Sequence, residues 1–163
     1  QQALGALMRI EVSIPEQTLD LYGGESIIRR YRISSAKNGV GQENGSFCTP
    51  LGKHIIRAKI GAGQPVNTVF VRRRPTGEIY TPNLGASFPG RDWILTRILW
   101  LSGSEPGFNR LGTVDTMRRY IYIHGSPDSV EMGNPAPDSN SQQSEQRERK
   151  THRFLLRRIG RST

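Results

Sequence analysis

Residues 8–34, MRIEVSIPEQTLDLYGGESIIRRYRIS, decide the fold class of this chain. Apolar side chains stand at every second position of residues 8–14, the period of a strand with one buried face. These side chains are Met8, Ile10, Val12 and Ile14. Two further β-rich runs follow, residues 18–22 and 26–34, and Gly23-Gly24 between them is typical of a tight hairpin. The sequence therefore begins as antiparallel β structure.

Further strands are predicted downstream, at residues 52–60, 68–72, 78–81, 92–101 and 117–124. Pro75-Thr76-Gly77 predicts a turn before the third of these. Residues 92–101 fit both a helical and a strand period, and we favour a strand because Gly90 and Gly103 leave little room for a helix. Tyr120, Tyr122 and His124 share one face of the last strand. The fold class is thus mainly β.

The character of the chain changes near Pro137. Residues 138–150, DSNSQQSEQRERK, contain no apolar side chain, so they cannot bury enough surface to offset the entropy lost on ordering. Residues 151–163 add four apolar side chains among basic and polar neighbours, which allows a short basic helix or no ordered structure. We therefore divide the chain into one domain, residues 1–137, and a polar basic tail, residues 138–163, predicted to be disordered.

Composition limits the classes of function. The 163 residues carry a net charge of +9, which permits contact with nucleic acid, anionic lipid or an anionic wall polymer. No apolar run approaches the roughly 20 residues that span a bilayer, and residues 1–8 are too short for an export signal. One cysteine, Cys48, excludes an intrachain disulfide and a cysteine-based metal site.

Two segments carry most of the functional signal: residues 45–54, GSFCTPLGKH, and residues 118–132, RRYIYIHGSPDSVEM. Three supporting segments are AKNG at 36–39, RRRPTGEIY at 72–80 and GRDWILTRILWLSG at 90–103. In this order, and over residues 9–135, they resemble the YkuD-type L,D-transpeptidase catalytic domain of bacterial cell-wall enzymes. The resemblance implies a curved sheet or sandwich with a cleft, a periplasmic or cell-wall location, peptidoglycan stem peptides as partners, and no cofactor or metal.

The resemblance also implies a reaction. A cysteine thiolate attacks a carbonyl of a donor stem peptide and expels the terminal D-alanine, and an amine of a second stem peptide then takes the acyl group. His124 matches the position of the base in the family's Ile-His-Gly motif. The chain reversal at Gly125-Ser126 is suited to supply a backbone carbonyl that fixes the imidazole tautomer, which makes Ser126 a candidate orienting residue.

The sequence departs from the family after residues 128–135, DSVEMGNP. The family continues with Ser-His-Gly-Cys, whereas this chain continues with Ala136-Pro137-Asp138. The nucleophile is missing, so we predict impaired catalysis and a fold that is incomplete at its C-terminus. Ser139 and Ser141 are poor substitutes, because an alcohol needs a closely placed base and an oxyanion hole.

The remaining candidates are interpreted as structural. Cys48 precedes Thr49-Pro50 and is assigned to the scaffold, although a Cys48–His54 pair is chemically feasible. His54 is assigned to a strand. The arginines at 72–74 are interpreted as a solvated strand end, with contact to wall carboxylates or phosphates as the alternative.

Two other functions stay open. The domain can be a non-catalytic peptidoglycan-binding module. The basic tail can bind an anionic polymer or membrane through counterion release, with no specific nucleic acid expected.

Overall fold

The computed structural model describes residues 7–128 in full and the backbone of residues 153–156. Within this part the chain is mainly β, as predicted, with one short helix and one turn of 3-10 helix. The elements are β1 Met8–Ser13, β2 Thr18–Gly23, β3 Ser26–Ser34, β4 His54–Ile60, β5 Thr68–Val71, β6 Arg74–Ile79, α1 Pro82–Ser87, β7 Ile94–Gly103, the 3-10 turn Gly112–Val114, β8 Tyr122–Gly125 and β9 Arg153–Leu156.

Strands β1, β2 and β3 form an antiparallel meander, and the predicted hairpin between β2 and β3 is confirmed. Its loop is shifted by one residue from Gly23-Gly24, because Gly23 still pairs with Ser26. Gly24 is therefore the first loop residue, and its φ of 60° is the positive value that a type II′ turn requires there.

Strand β7 is the centre of the second sheet, which confirms the choice of a strand over a helix for this segment. Its first residues pair with β5, its last six pair with β4, and β8 lies along its other side. It also contributes to each of three buried apolar clusters: Leu101 to the first, Ile94 and Ile98 to the second, and Leu95 to the third. Backbone pairing and core packing both converge on this strand.

The predicted turn at Pro75-Thr76-Gly77 is wrong. These residues lie inside β6, and Pro75 pairs with Phe70 of β5. A proline is tolerated there because β6 ends the sheet and needs no partner on its outer side. The turn is formed by Arg72-Arg73, whose φ values of 49° and 64° are both positive, as a two-residue type I′ hairpin requires.

The strand predicted at residues 117–124 begins only at Tyr122. Residues before it form turns, closed by hydrogen bonds from the Arg119 N–H to the Asp115 carbonyl and from the Tyr120 N–H to the Met117 carbonyl. The predicted alternation holds within the strand. Ile123 packs in the first cluster and Tyr122 in the second, so β8 is buried on both faces.

Strand β9 joins the two parts of the sheet. Its backbone pairs antiparallel with β3 and parallel with β8, so the facing edges of these two strands are hydrogen-bonded rather than open. The short helix considered for residues 151–163 is therefore wrong for these four residues. The rest of the tail that was predicted to be disordered lies outside the described residues.

Candidate functional site

His124 lies in the interior of the sheet. It occupies the third position of β8, paired with Ile98 of β7 on one side and with Leu155 of β9 on the other. Only 1% of its surface is exposed. The resemblance implies a cleft at the catalytic base, whereas the structure buries His124 among paired strands.

The contacts of the imidazole fix its tautomer. Nδ1 lies 2.7 Å from the Gly125 carbonyl oxygen, and because a carbonyl only accepts, Nδ1 carries the proton. Nε2 is buried and has no hydrogen-bond partner among the residues described. Burial lowers the pKa of His124 to about 4, although the hydrogen bond to the Gly125 carbonyl acts in the opposite direction. At neutral pH the ring is therefore neutral, with a free lone pair on Nε2.

Ser126 stands two residues further along the chain. The carbonyl that contacts His124 is that of Gly125, so Ser126 takes no part in that hydrogen bond. Its hydroxyl is buried and, within the described ranges, has no partner. Within the described residues, His124 Nε2 and the Ser126 hydroxyl are therefore both buried without a hydrogen-bond partner, two positions apart in the chain.

Gly125 is required by the close approach of the neighbouring strand. A Cβ at this position would lie 2.7 Å from the Leu95 carbonyl oxygen of β7, a backbone atom that cannot move aside without separating the two strands. The glycine after the histidine therefore keeps β8 against β7. This requirement accounts for one part of the Ile-His-Gly motif.

Cys48 is half-buried in the loop between β3 and β4. Its sulfur lies 3.5 Å from the Asn38 carbonyl and 3.6 Å from the Ser46 carbonyl. Both are main-chain acceptors of its own loop. Among the described residues no hydrogen bond connects this thiol with the unpartnered Nε2 of His124.

Arg119 organises that loop, and sequence reasoning missed it. The side chain is 5% exposed. It donates to the carbonyls of Gly41 and Gln42 at 3.1 Å each, to the Ser46 hydroxyl at 3.3 Å and to the Cys48 carbonyl at 2.6 Å. Burial lowers the pKa of this guanidinium below its usual range. Arg118 and Arg119 are adjacent identical residues, so the sequence offered no signal to separate the buried one from the exposed one.

His54 has two hydrogen bonds. Its Nδ1 donates to the Gly52 carbonyl at 3.0 Å, which leaves Nε2 to accept from the Thr116 hydroxyl at 3.0 Å. Burial lowers the pKa of the ring. Because both nitrogens are satisfied, the ring ties β4 to the segment before β8, in keeping with the structural assignment.

A second group lies beside His124 on the same side of the sheet, and we call it the aromatic–arginine cluster: Arg57, Arg73, Trp100, Tyr120 and Tyr122. The guanidinium of Arg73 lies 4.8 Å from the ring centroid of Trp100 and 5.0 Å from that of Tyr120. It also donates to the Tyr122 hydroxyl at 2.8 Å. Arg57 lies 5.7 Å from the Trp100 centroid. The interpretation of the arginines at 72–74 as a solvated strand end is therefore wrong for Arg73.

Two general properties of the described residues complete the picture. Within residues 7–128 no group of three or more His, Cys, Asp or Glu side chains is placed to hold a metal ion. The described helices are all too short to cross a membrane.

The comparisons with known proteins agree with the motifs. The family model for the L,D-transpeptidase catalytic domain, YkuD, matches residues 8–145. No match was found among curated proteins or among solved structures.

Proposed function

Because the chain belongs to the L,D-transpeptidase catalytic-domain family, we propose that it binds peptidoglycan stem peptides at the cell wall with His124 in the position of the catalytic base, and that acyl transfer is impaired. The observation that carries the proposal is the state of that imidazole. Its proton is held on Nδ1 by Gly125, and the lone pair on Nε2 has no partner among the described residues.

This state suits a general base. An unprotonated Nε2 can take a proton from a thiol, and the thiolate then attacks a peptide carbonyl. Burial lowers the pKa of His124 to about 4, so the imidazolium forms readily only when an anion lies beside it. A thiolate at Nε2 would be such an anion.

The proposed impairment follows from the residues that are missing. The sequence contains one cysteine and no Ser-His-Gly-Cys. Cys48 is the only thiol, and its sulfur faces the carbonyls of Asn38 and Ser46, neither of which can act as a base. The pair of acyl transfers that the family performs therefore lacks its nucleophile.

A carbapenem tests for a live thiol. The intact chain is incubated with the drug and the mass is read, beside a Cys48→Ala control, and turnover of a stem tetrapeptide is measured in parallel. We expect no adduct and no release of D-alanine. An adduct that is lost in Cys48→Ala and weakened in His124→Gln would make Cys48 the nucleophile and would overturn the proposed impairment.

A purely binding role is the second candidate, favoured by the aromatic–arginine cluster. Arginine with aromatic rings forms a surface that recognises charged, partly apolar peptides. Retention of the unreacted chain by purified sacculi, without acylation, is the expected result for this role. Failure of sacculi to retain the chain would refute both the binding role and the proposed contact with peptidoglycan.

A further inference from the structure

The aromatic–arginine cluster holds two positive charges, and no described carboxylate forms an ion pair with either of them. Arg57 and Arg73 each lie within 6 Å of the Trp100 ring centroid, so the guanidinium groups are no more than about 11 Å apart, where they repel each other. Neither forms an ion pair with a carboxylate in the part of the chain that the structure describes. An anion bound at either guanidinium would offset part of this repulsion.

Arg73 is held in place before any ligand arrives. The turn gives it a φ of 64°, a backbone conformation that favours Gly or Asn and is costly for a long side chain. Its guanidinium is nevertheless fixed by Tyr122 and by the faces of Trp100 and Tyr120. A guanidinium that is already ordered loses little freedom when it binds a carboxylate in a two-pronged contact.

The Trp100 ring is itself anchored. Its indole N–H donates to the Met117 carbonyl at 3.2 Å, and the ring packs edge-on against Tyr122, with centroids 6.0 Å apart. The Trp100 ring, which both guanidinium groups approach, is therefore held in place and half-buried. Such surroundings strengthen the attraction between a guanidinium and a carboxylate relative to open water.

The cluster also lies at a useful distance from His124. Tyr122 and His124 are two residues apart on one face of β8, which places their Cα atoms about 7 Å from each other. Their partners on β7, Trp100 and Ile98, are spaced in the same way. An extended peptide advances about 3.5 Å per residue, so the spacing between Tyr122 and His124 corresponds to about two residues of such a peptide.

We propose that Arg73, assisted by Arg57 on the Trp100 platform, binds a free carboxylate of a stem peptide. The inference rests on the proposed function for the identity of the peptide. The proposed ligand is a carboxylate. The same two guanidinium groups would also attract inorganic phosphate, so phosphate is one of the probes in the test.

The test follows the indole N–H signal of Trp100 in the ¹⁵N-labelled full chain, assigned with the help of Trp93→Phe. The probes are a stem tetrapeptide with free carboxylates, the same peptide with its carboxylates amidated, and inorganic phosphate at matched ionic strength. Arg73→Gln removes the charge, and Arg72→Gln is the matched control, because Arg72 is exposed and has a positive φ in the same turn.

We expect the free peptide to shift the Trp100 signal and Arg73→Gln to weaken its binding at least about tenfold, as will amidation. Arg57→Gln should weaken it less, and Arg72→Gln should leave it unchanged. Equal binding to Arg73→Gln and Arg72→Gln, or equal binding of the free and amidated peptides, would overturn the carboxylate site. Tighter binding of phosphate than of the free peptide would also overturn it.

Retention by sacculi separates this inference from the proposed function. If sacculi retain the wild-type chain and both arginine variants alike, the proposed function stands and the carboxylate site falls. If sacculi fail to retain the chain while the free peptide still shifts Trp100 and Arg73→Gln abolishes the shift, the carboxylate site stands and the proposed binding to the assembled cell wall falls.

Discussion

Acid should destabilise this protein through His124. In the unfolded chain the imidazole titrates at its ordinary value of 6.5, whereas burial lowers the pKa in the folded chain to about 4. The unfolded state therefore binds the proton first as the pH falls. Stability is complete above pH 6.5 and is lost progressively toward pH 4, because a folded-state pKa below the unfolded value favours unfolding in that window.

The magnitude follows from the difference between the two pKa values. Between pH 7 and pH 5 the unfolded histidine gains about three quarters of a proton while the folded one stays almost entirely neutral, which removes about 2 kcal/mol from the free energy of unfolding. His54, whose pKa is also lowered by burial, contributes in the same direction. Asp20 and Glu78 have pKa values lowered by Arg30 and Arg91, so their contribution is lost only at lower pH.

Urea unfolding of the intact chain at pH 7, 6 and 5 measures this effect, with His124→Gln as the variant and His54→Gln as the matched control. His124→Gln should remove about 2 kcal/mol of the pH dependence, whatever it does to the absolute stability, and His54→Gln should leave most of it. An NMR titration of His124 should show no change above pH 5. A His124→Gln variant as acid-sensitive as the wild type would refute the reasoning.

Three further predictions concern the scaffold. Arg119→Met removes four hydrogen bonds to the loop, three of them to carbonyl oxygens, and should cost on the order of 3 kcal/mol in urea unfolding while exposing Cys48 to thiol reagents. Arg118→Met should change neither the stability nor the thiol reactivity. Gly103→Ala places a Cβ against the Asn109 backbone and should lower the free energy of unfolding by about 1–3 kcal/mol. Gly90→Ala is the control, because a Cβ there meets nothing within 4 Å, and it should leave the free energy of unfolding nearly unchanged. Leu155→Pro should break the pairing of β9 with β3 and β8. Relative to Leu155→Val, it should lower the midpoint of thermal unfolding and raise light scattering. Equal midpoints for the two variants would contradict this prediction.

Local pattern was enough to predict the strands of the meander and β7. The alternation in residues 8–14 and the paired glycines report directly on burial and on turn geometry, and both act over a few residues. The prediction of a turn at Pro75 failed because a proline is read as a breaker, whereas an edge strand accepts it. Whether a strand is central or at an edge depends on distant partners that a local window does not contain.

The candidate site was likewise predicted only in part from local sequence. His124 was found because a short motif carries it, and the need for Gly125 follows from a contact with Leu95 that only the folded sheet creates. Arg119 was not found, and Arg73 was not distinguished from Arg72 and Arg74, because each stands beside an arginine that is exposed. Their roles depend on which side of a turn faces the interior, and that choice is made by tertiary packing rather than by residue type.

The position of β9 has a consequence for biosynthesis. Ile33 pairs with Leu156, so two neighbours in space are separated by most of the polypeptide, and a contact of that kind forms slowly. During translation the meander and the β7 sheet can assemble while the gap between β3 and β8 stays vacant. The two parts of the sheet can therefore be joined only after residue 156 has left the ribosome.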